Sequence, residues 1–203
     1  MTTLTYPAGL YVPQGGSFSL VSNTFSFTSP LSNIVQTLEY PGSRWSANIS
    51  YAALSETNSR LLASFLAQLR GQAGRFYYGD PFHRTPQGSG LGTPIVYGAS
   101  QTGSSIETTG WDPLETNVLK AGDYIQFTNN EMKIVTADVD TNSSGDATIT
   151  FEPPIRNSPS DSTSITIQDA KAVMRLTDDN QATWEYGNIA AASFSLSFIE
   201  SFT

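Results

Sequence analysis

Along "RWSANISYAAL", Trp45, Ala47, Ile49 and Tyr51 alternate with Ser46, Asn48 and Ser50, the two-residue period of a strand with one buried face. The period then lengthens. In "SETNSRLLASFLAQLRGQAG", Leu61, Leu62, Phe65, Leu66 and Leu69 form a single apolar stripe at helical spacing. Ser55 is placed to cap that helix, with Glu56 in its first turn and Arg70 in its last. Gly71 is placed to close it in the left-handed conformation. "RFYYGDPF" predicts a further strand, stopped by Gly79-Asp80-Pro81.

From about Thr85 the pattern becomes one of short strands: "TPIVYG", "SSIETTGW", "DYIQFT", "MKIVTADV", "ATITFE", "SITIQ" and "AVMRL". Many short strands at regular spacing predict a small barrel or sandwich. Near the end, Phe194, Leu196 and Phe198 alternate with Ser193, Ser195 and Ser197. A strand this apolar on one face needs a sheet to complete, and the strands before residue 84 are the expected partners. The fold class that follows is mainly β with one helix. A discontinuous domain of residues 1–84 and 172–203 is interrupted by a β-barrel insert of residues 85–171.

Charge sharpens this division. The net charge is −8, and residues 85–171 carry eleven of the eighteen acids but only four of the ten bases, so the middle is −7 and the remainder −1. Such a balance disfavours a protein that grips nucleic acid through a basic surface. The first 38 residues contain no Asp, Glu, Lys or Arg, yet they hold aromatics, as in "SFSLVSNTFSFTSPL". Two readings are open there: an ordinary buried hairpin, or an arm that contacts a neighbouring subunit. The chain has no cysteine, which removes disulfides and thiolate metal sites and suits a reducing cytosol. No apolar run reaches the length of a membrane span, and "MTTLTYPAGLYVPQGG" lacks the basic start of a signal peptide, so export by the general route is not expected.

Candidate chemistry is sparse. His83, in "YGDPFHRTP", is the single histidine, and no "GxSxG" elbow accompanies it; it reads as a structural or surface residue. Asp138 and Asp140 lack the pattern of a calcium-binding loop, and "GLG" at residues 90–92 lacks the lysine and helix of a phosphate loop. The expectation is no catalytic residues, no metal and no cofactor. Trp111 and Tyr97 are the candidates for a sugar contact, because aromatic faces pack on pyranose rings. For Trp111 the competing role is to pin a loop onto the barrel.

The order of these parts resembles the distal tail protein of long, non-contractile-tailed phages, in the subset that carries an OB-fold-like insert. The segments that carry the resemblance are "EYPGSRWSANISY", "SRLLASFLAQLRG", "PIVYGASQTGSSIE", "LKAGDYIQF…KIVTADVDTNSSGDATITFEPPIR" and "SFSLSFIESF", spanning residues 39–203. The resemblance implies a host domain of tail-tube-like β-sandwich fold that closes into a hexameric ring between the tail tube and the tail tip. DNA would pass through the ring without specific binding. The insert would project outward, towards side fibres or a receptor-binding protein. A virion location at the tail tip, after synthesis in the host cytoplasm, follows from the same resemblance.

Under that expectation the chain is a scaffold and not an enzyme. Phe18, Phe25 and Phe27 of the uncharged arm and Phe194, Leu196 and Phe198 of the last strand are the candidates for ring or tube packing. The alternative function is a carbohydrate-binding β-barrel module of a tail tip, since barrels of this kind bind oligosaccharides.

Overall fold

A computed structural model of the 203-residue chain describes residues 2–181, 183, 185–186 and 192–202. The protein is mainly β, with one helix and a sheet curled into a half-barrel. In chain order the elements are β1 (Leu4–Thr5), β2 (Gly15–Val21), β3 (Thr24–Thr28), β4 (Val35–Glu39), β5 (Arg44–Leu54), α1 (Glu56–Leu69) and β6 (Phe76–Tyr78). They continue as β7 (Gly92–Val96), β8 (Gly103–Trp111), β9 (Tyr124–Gln126), β10 (Met132–Val135), β11 (Ala147–Ile155), β12 (Ala172–Leu176), β13 (Glu185–Tyr186) and β14 (Ala192–Glu200).

Both ends of the chain build one sheet, ordered β1-β6-β12-β14-β5-β2, with β13 beside β14. Its long seam is β14 against β5, antiparallel, with Leu196 opposite Ile49 and Phe198 opposite Ala47. Alternation sends Trp45, Ala47, Ile49, Tyr51, Phe194, Leu196 and Phe198 to one face, where all are buried. Helix α1 covers that face. Ser55 Oγ accepts the Asn58 amide at 3.3 Å, as a capping serine does. Leu62, Phe65, Leu66 and Leu69 point into the core, whereas Leu61 is exposed. Leu61 lies one residue off the i, i+3, i+4, i+7 row, so the buried stripe is narrower than the run of leucines suggests. The helix closes on Arg70, itself left-handed at φ 53°, and Gly71 follows at φ 66°. A Cβ on Gly71 would lie 2.3 Å from Asp179 Oδ1, the atom that accepts the Gln72 amide. Glycine is required there by both φ and space.

Rings fill the space beneath α1. Tyr6 packs edge-on against Phe65, Tyr78 and Phe198 with centroids 5.1, 5.0 and 6.0 Å away. Each fully buried ring contributes about 1.5–3 kcal/mol of transfer free energy, and edge contacts add to it. Their hydroxyls are paired: Tyr6 with Tyr51, Tyr51 with the Leu10 carbonyl, and Tyr78 with the Tyr11 carbonyl.

The middle of the chain builds a second sheet, ordered β7-β8-β11-β10-β9, around its own core of Val96, Ile106, Ile125, Phe127, Val135, Ile149 and Phe151. The segment "SITIQ" is not a regular strand. It touches the sheet through isolated bridges, Ile95 to Ser164 and Gln126 to Thr166, because it closes against two different strand ends. The chain leaves the first sheet after β6 and returns at β12, where Ala172 lies opposite Tyr78. The two crossings are fastened together. Arg84 Nε meets Asp169 Oδ1 at 2.8 Å, Lys171 Nζ meets Asp169 Oδ2 at 2.6 Å, and both cations lie over the Tyr11 ring.

Within the middle unit sits a buried ion pair, Glu131 Oε2 to Lys133 Nζ at 2.7 Å, with the side chains 3% and 0% exposed. Burial pushes the Glu131 carboxyl up, but Lys133 and the amides of Arg156 and Asn157 outweigh it and hold the group below its ordinary value. The lysine runs the other way: burial depresses it and Glu131 offsets this only in part. The carboxyl governs the acid limb, because an ammonium beside an ionised carboxylate keeps its proton there. Asp169 behaves like Glu131, with burial opposed and exceeded by Arg84 and Lys171. A carboxyl whose folded pKa is depressed stabilises the fold above its unfolded pKa, and this is lost as pH falls through the folded value. Urea midpoints should therefore hold level from these two groups at pH 5–7 and fall below about pH 4. Midpoints measured along a pH series check this.

Candidate assembly surface

The strands β3 and β4 stand apart from both sheets and pair only with each other, Phe25 opposite Leu38 and Thr28 opposite Val35. Every residue of both strands is exposed. The two-residue period places Phe25, Phe27, Gln36 and Leu38 on one side of this hairpin, and Thr24, Ser26, Thr28, Val35 and Thr37 on the other. At the tip, Ser29 and Ile34 close the turn through a 2.9 Å backbone bond, with Asn33 left-handed at φ 54°. Leu31, in that turn, is 98% exposed, and Ile34 is 63% exposed. The root is held by the Tyr40 amide to the Asn23 carbonyl and by Asn23 Nδ2 to the Pro41 carbonyl.

A free two-stranded hairpin is at best marginally stable in water, and a contiguous exposed apolar surface marks an interaction site. No charged side chain lies on it before Glu39 at its base. The hairpin is flanked by β2 and β5, which are partners in the main sheet. Among the described residues, β2 is the last strand at that end of the sheet.

The face of the main sheet away from α1 is also unusual. The same alternation that buries the apolar residues turns out Ser17 and Ser19 from β2, Ser46, Asn48 and Ser50 from β5, and Ser193, Ser195 and Ser197 from β14. Across these three strands the one charged residue on this side is Arg44, at the end of β5; Arg175 joins from β12. Solvated sheet faces ordinarily carry charged side chains of both signs. Here two hydroxyls turn back to the sheet, Ser46 to the Phe198 carbonyl and Ser50 to the Gly15 carbonyl.

The sequence-derived candidates divide. Phe25 and Phe27 are 58% and 54% exposed on the hairpin. Phe18 is half-buried within its own chain, stacked on Trp45 at 5.2 Å and edge-on to Tyr124. Phe194, Leu196 and Phe198 are a correction: they are 3%, 1% and 0% exposed under α1, so their side chains make the protomer's own core and offer no surface. Their alternating serines hold the outer face instead. Trp111 has the pinning role, and only its sugar contact is a correction. Its ring is 4% exposed, its Nε1 donates to Thr108 Oγ1 at 2.8 Å, and its amide donates to the Gly145 carbonyl, so it pins the Ser144-Gly145 turn and has no open face for a sugar. Tyr97 is 57% exposed in a shallow groove beside Glu107, Asp140, Asn142 and Asp146.

In the sequence only the absence of charge marks Leu31, Ile34 and Leu38. His83 Nδ1 lies 2.8 Å from Asp80 Oδ2, which also accepts from the Tyr124 hydroxyl. Among the described residues no group of three or more His, Cys, Asp or Glu is placed to hold a metal ion. No described helix is long and apolar enough to cross a membrane. No protein-family model matches the chain, and no curated protein sequence matches it.

Proposed function

We propose that this chain is a structural subunit of a phage tail tip, in which six copies form a ring that joins the tail tube to the tip complex and lets DNA pass. The observation that carries the reading is the β3–β4 hairpin, an apolar arm whose one charge is Glu39 at its base and whose strands pair with no other described strand. A neighbouring copy is the natural partner for such an arm. Heterologous contact between identical subunits generates a ring whenever the rotation closes. The serine-rich face gives further support. A wall facing a passing duplex must stay wet without holding phosphates, and hydroxyls with few cations meet both demands. The β-rich architecture, with one helix on a sheet made from both chain ends and a second β unit from the middle, fits a tail-tube-like host with an OB-like insert. The acidic middle unit would face solvent and side fibres or a receptor-binding protein.

Electron microscopy of the purified chain over rising concentration, alone and with isolated tail tubes, tests this. Sixfold rings, or rings capping tube ends, are the expected result. A chain that stays monomeric and leaves tube ends bare overturns it. The carbohydrate-binding alternative loses Trp111 and keeps Tyr97, whose exposed ring beside Asp140 and Asp146 is the one feature that favours it.

A further inference from the structure

The junction between the sheets carries an ion pair, Arg156 to Glu200, within a run of hydrogen bonds. Trp45, at the start of β5, donates its Nε1 to the Met132 carbonyl of β10 at 2.9 Å and its amide to Glu200 Oε2 at 3.0 Å. Glu200 closes β14 and is 2% exposed; its other oxygen pairs with Arg156 Nη2, just past β11. The amides of Arg156 and Asn157 then reach the two oxygens of Glu131, at 3.1 and 2.8 Å. Glu131 is paired with Lys133, whose Nζ also donates to the Pro154 carbonyl at 2.8 Å. One continuous polar chain thus runs from β5 and β14 of the main sheet into β10 and β11. Around it, the guanidinium groups of Arg44 and Arg156 both lie over the Phe202 ring, 4.7 and 4.1 Å from its centroid, and Met132 is packed within the core of the main sheet.

Buried ion pairs contribute little net stability compared with apolar residues of the same volume, while they penalise any misaligned arrangement heavily. Their physical effect is orientation. An apolar contact would let the middle unit slide or rock; a charge that loses its partner inside the junction would not.

We infer that the Arg156–Glu200 pair and the Trp45–Met132 bond lock the middle unit to the main sheet, with Glu131 and Lys133 holding the Arg156 backbone in place from within the middle unit, so that the two move and unfold as one body. The inference rests on contacts within this chain and is independent of ring assembly. Arg156 and Glu200 are its positioning residues.

Scanning calorimetry of the full chain at neutral pH, with hydrogen exchange on the same samples, tests it. The native chain is expected to unfold in a single transition. Arg156→Met combined with Glu200→Gln removes the pair without leaving a buried charge unmatched. In that variant two transitions are expected, with amides of β8 and β11 exchanging at least about tenfold faster relative to those of β5 and β14. If the double variant does not fold, Trp45→Phe removes one bond to Met132 and keeps the ring packing, and the same relative change in exchange is expected. Two independent transitions in the native chain, or an unchanged exchange ratio in the folded variants, overturn the inference.

Discussion

Replacing Glu131 with alanine is expected to destabilise the chain by about 3–5 kcal/mol, the typical cost of stranding one partner of a buried pair. Lys133 is fully buried and has the Glu131 carboxylate and the Pro154 carbonyl as partners. Removing the carboxylate leaves an ammonium with one neutral acceptor, and leaves the Arg156 and Asn157 amides without theirs. Adding Lys133→Met should recover the part of the loss due to the stranded ammonium, because an apolar side chain of similar length fills the site beside Phe151 without a charge to solvate, while the two amides stay without their acceptor. Urea unfolding of the single and double variants measures both steps. A loss under about 1 kcal/mol for Glu131→Ala would show that water reaches Lys133.

The hairpin predicts the reverse pattern, a large effect on association with little on folding. Phe25, Phe27 and Leu31 are exposed and none lies in either core. Changing all three to aspartate should abolish subunit association, since each carboxylate would have to be desolvated against an uncharged apolar surface. The same changes should move monomer stability by less than about 0.5 kcal/mol per site, as exposed positions generally do. Sedimentation velocity and urea unfolding separate the two. Unaltered association would exclude the hairpin from the interface, and a large loss of monomer stability would mean that it packs on its own chain.

Much of the fold was written in simple periods. The alternation in "RWSANISYAAL" and "SFSLSF" gives β5 and β14 and the faces they bury, because a strand's side chains can point only two ways. Ser55 and the row Leu62, Phe65, Leu66 and Leu69 give α1 in the same manner. Periodicity states that a face is covered but not by what. Phe194, Leu196 and Phe198 are interface candidates on that ground alone, and the position of α1 makes them core. The converse holds in "TFSFT", which alternates like a half-buried strand yet lies open on both sides. Trp111 was ambiguous because stacking on a sugar and pinning a turn need the same residue type. Lys133 gave no warning at all: within "MKIV" it occupies a position that reads as solvent-facing, and its burial depends on Glu131 and on Pro154 some twenty residues away.

The proposed position at the junction of tail tube and tip is tested most directly by immunogold labelling of intact virions with an antibody against the folded chain. Gold confined to the end of the tail, where tube meets tip, is the expected result. Gold distributed along the tube, or none on particles whose tips are accessible to control antibodies, would contradict a distal ring.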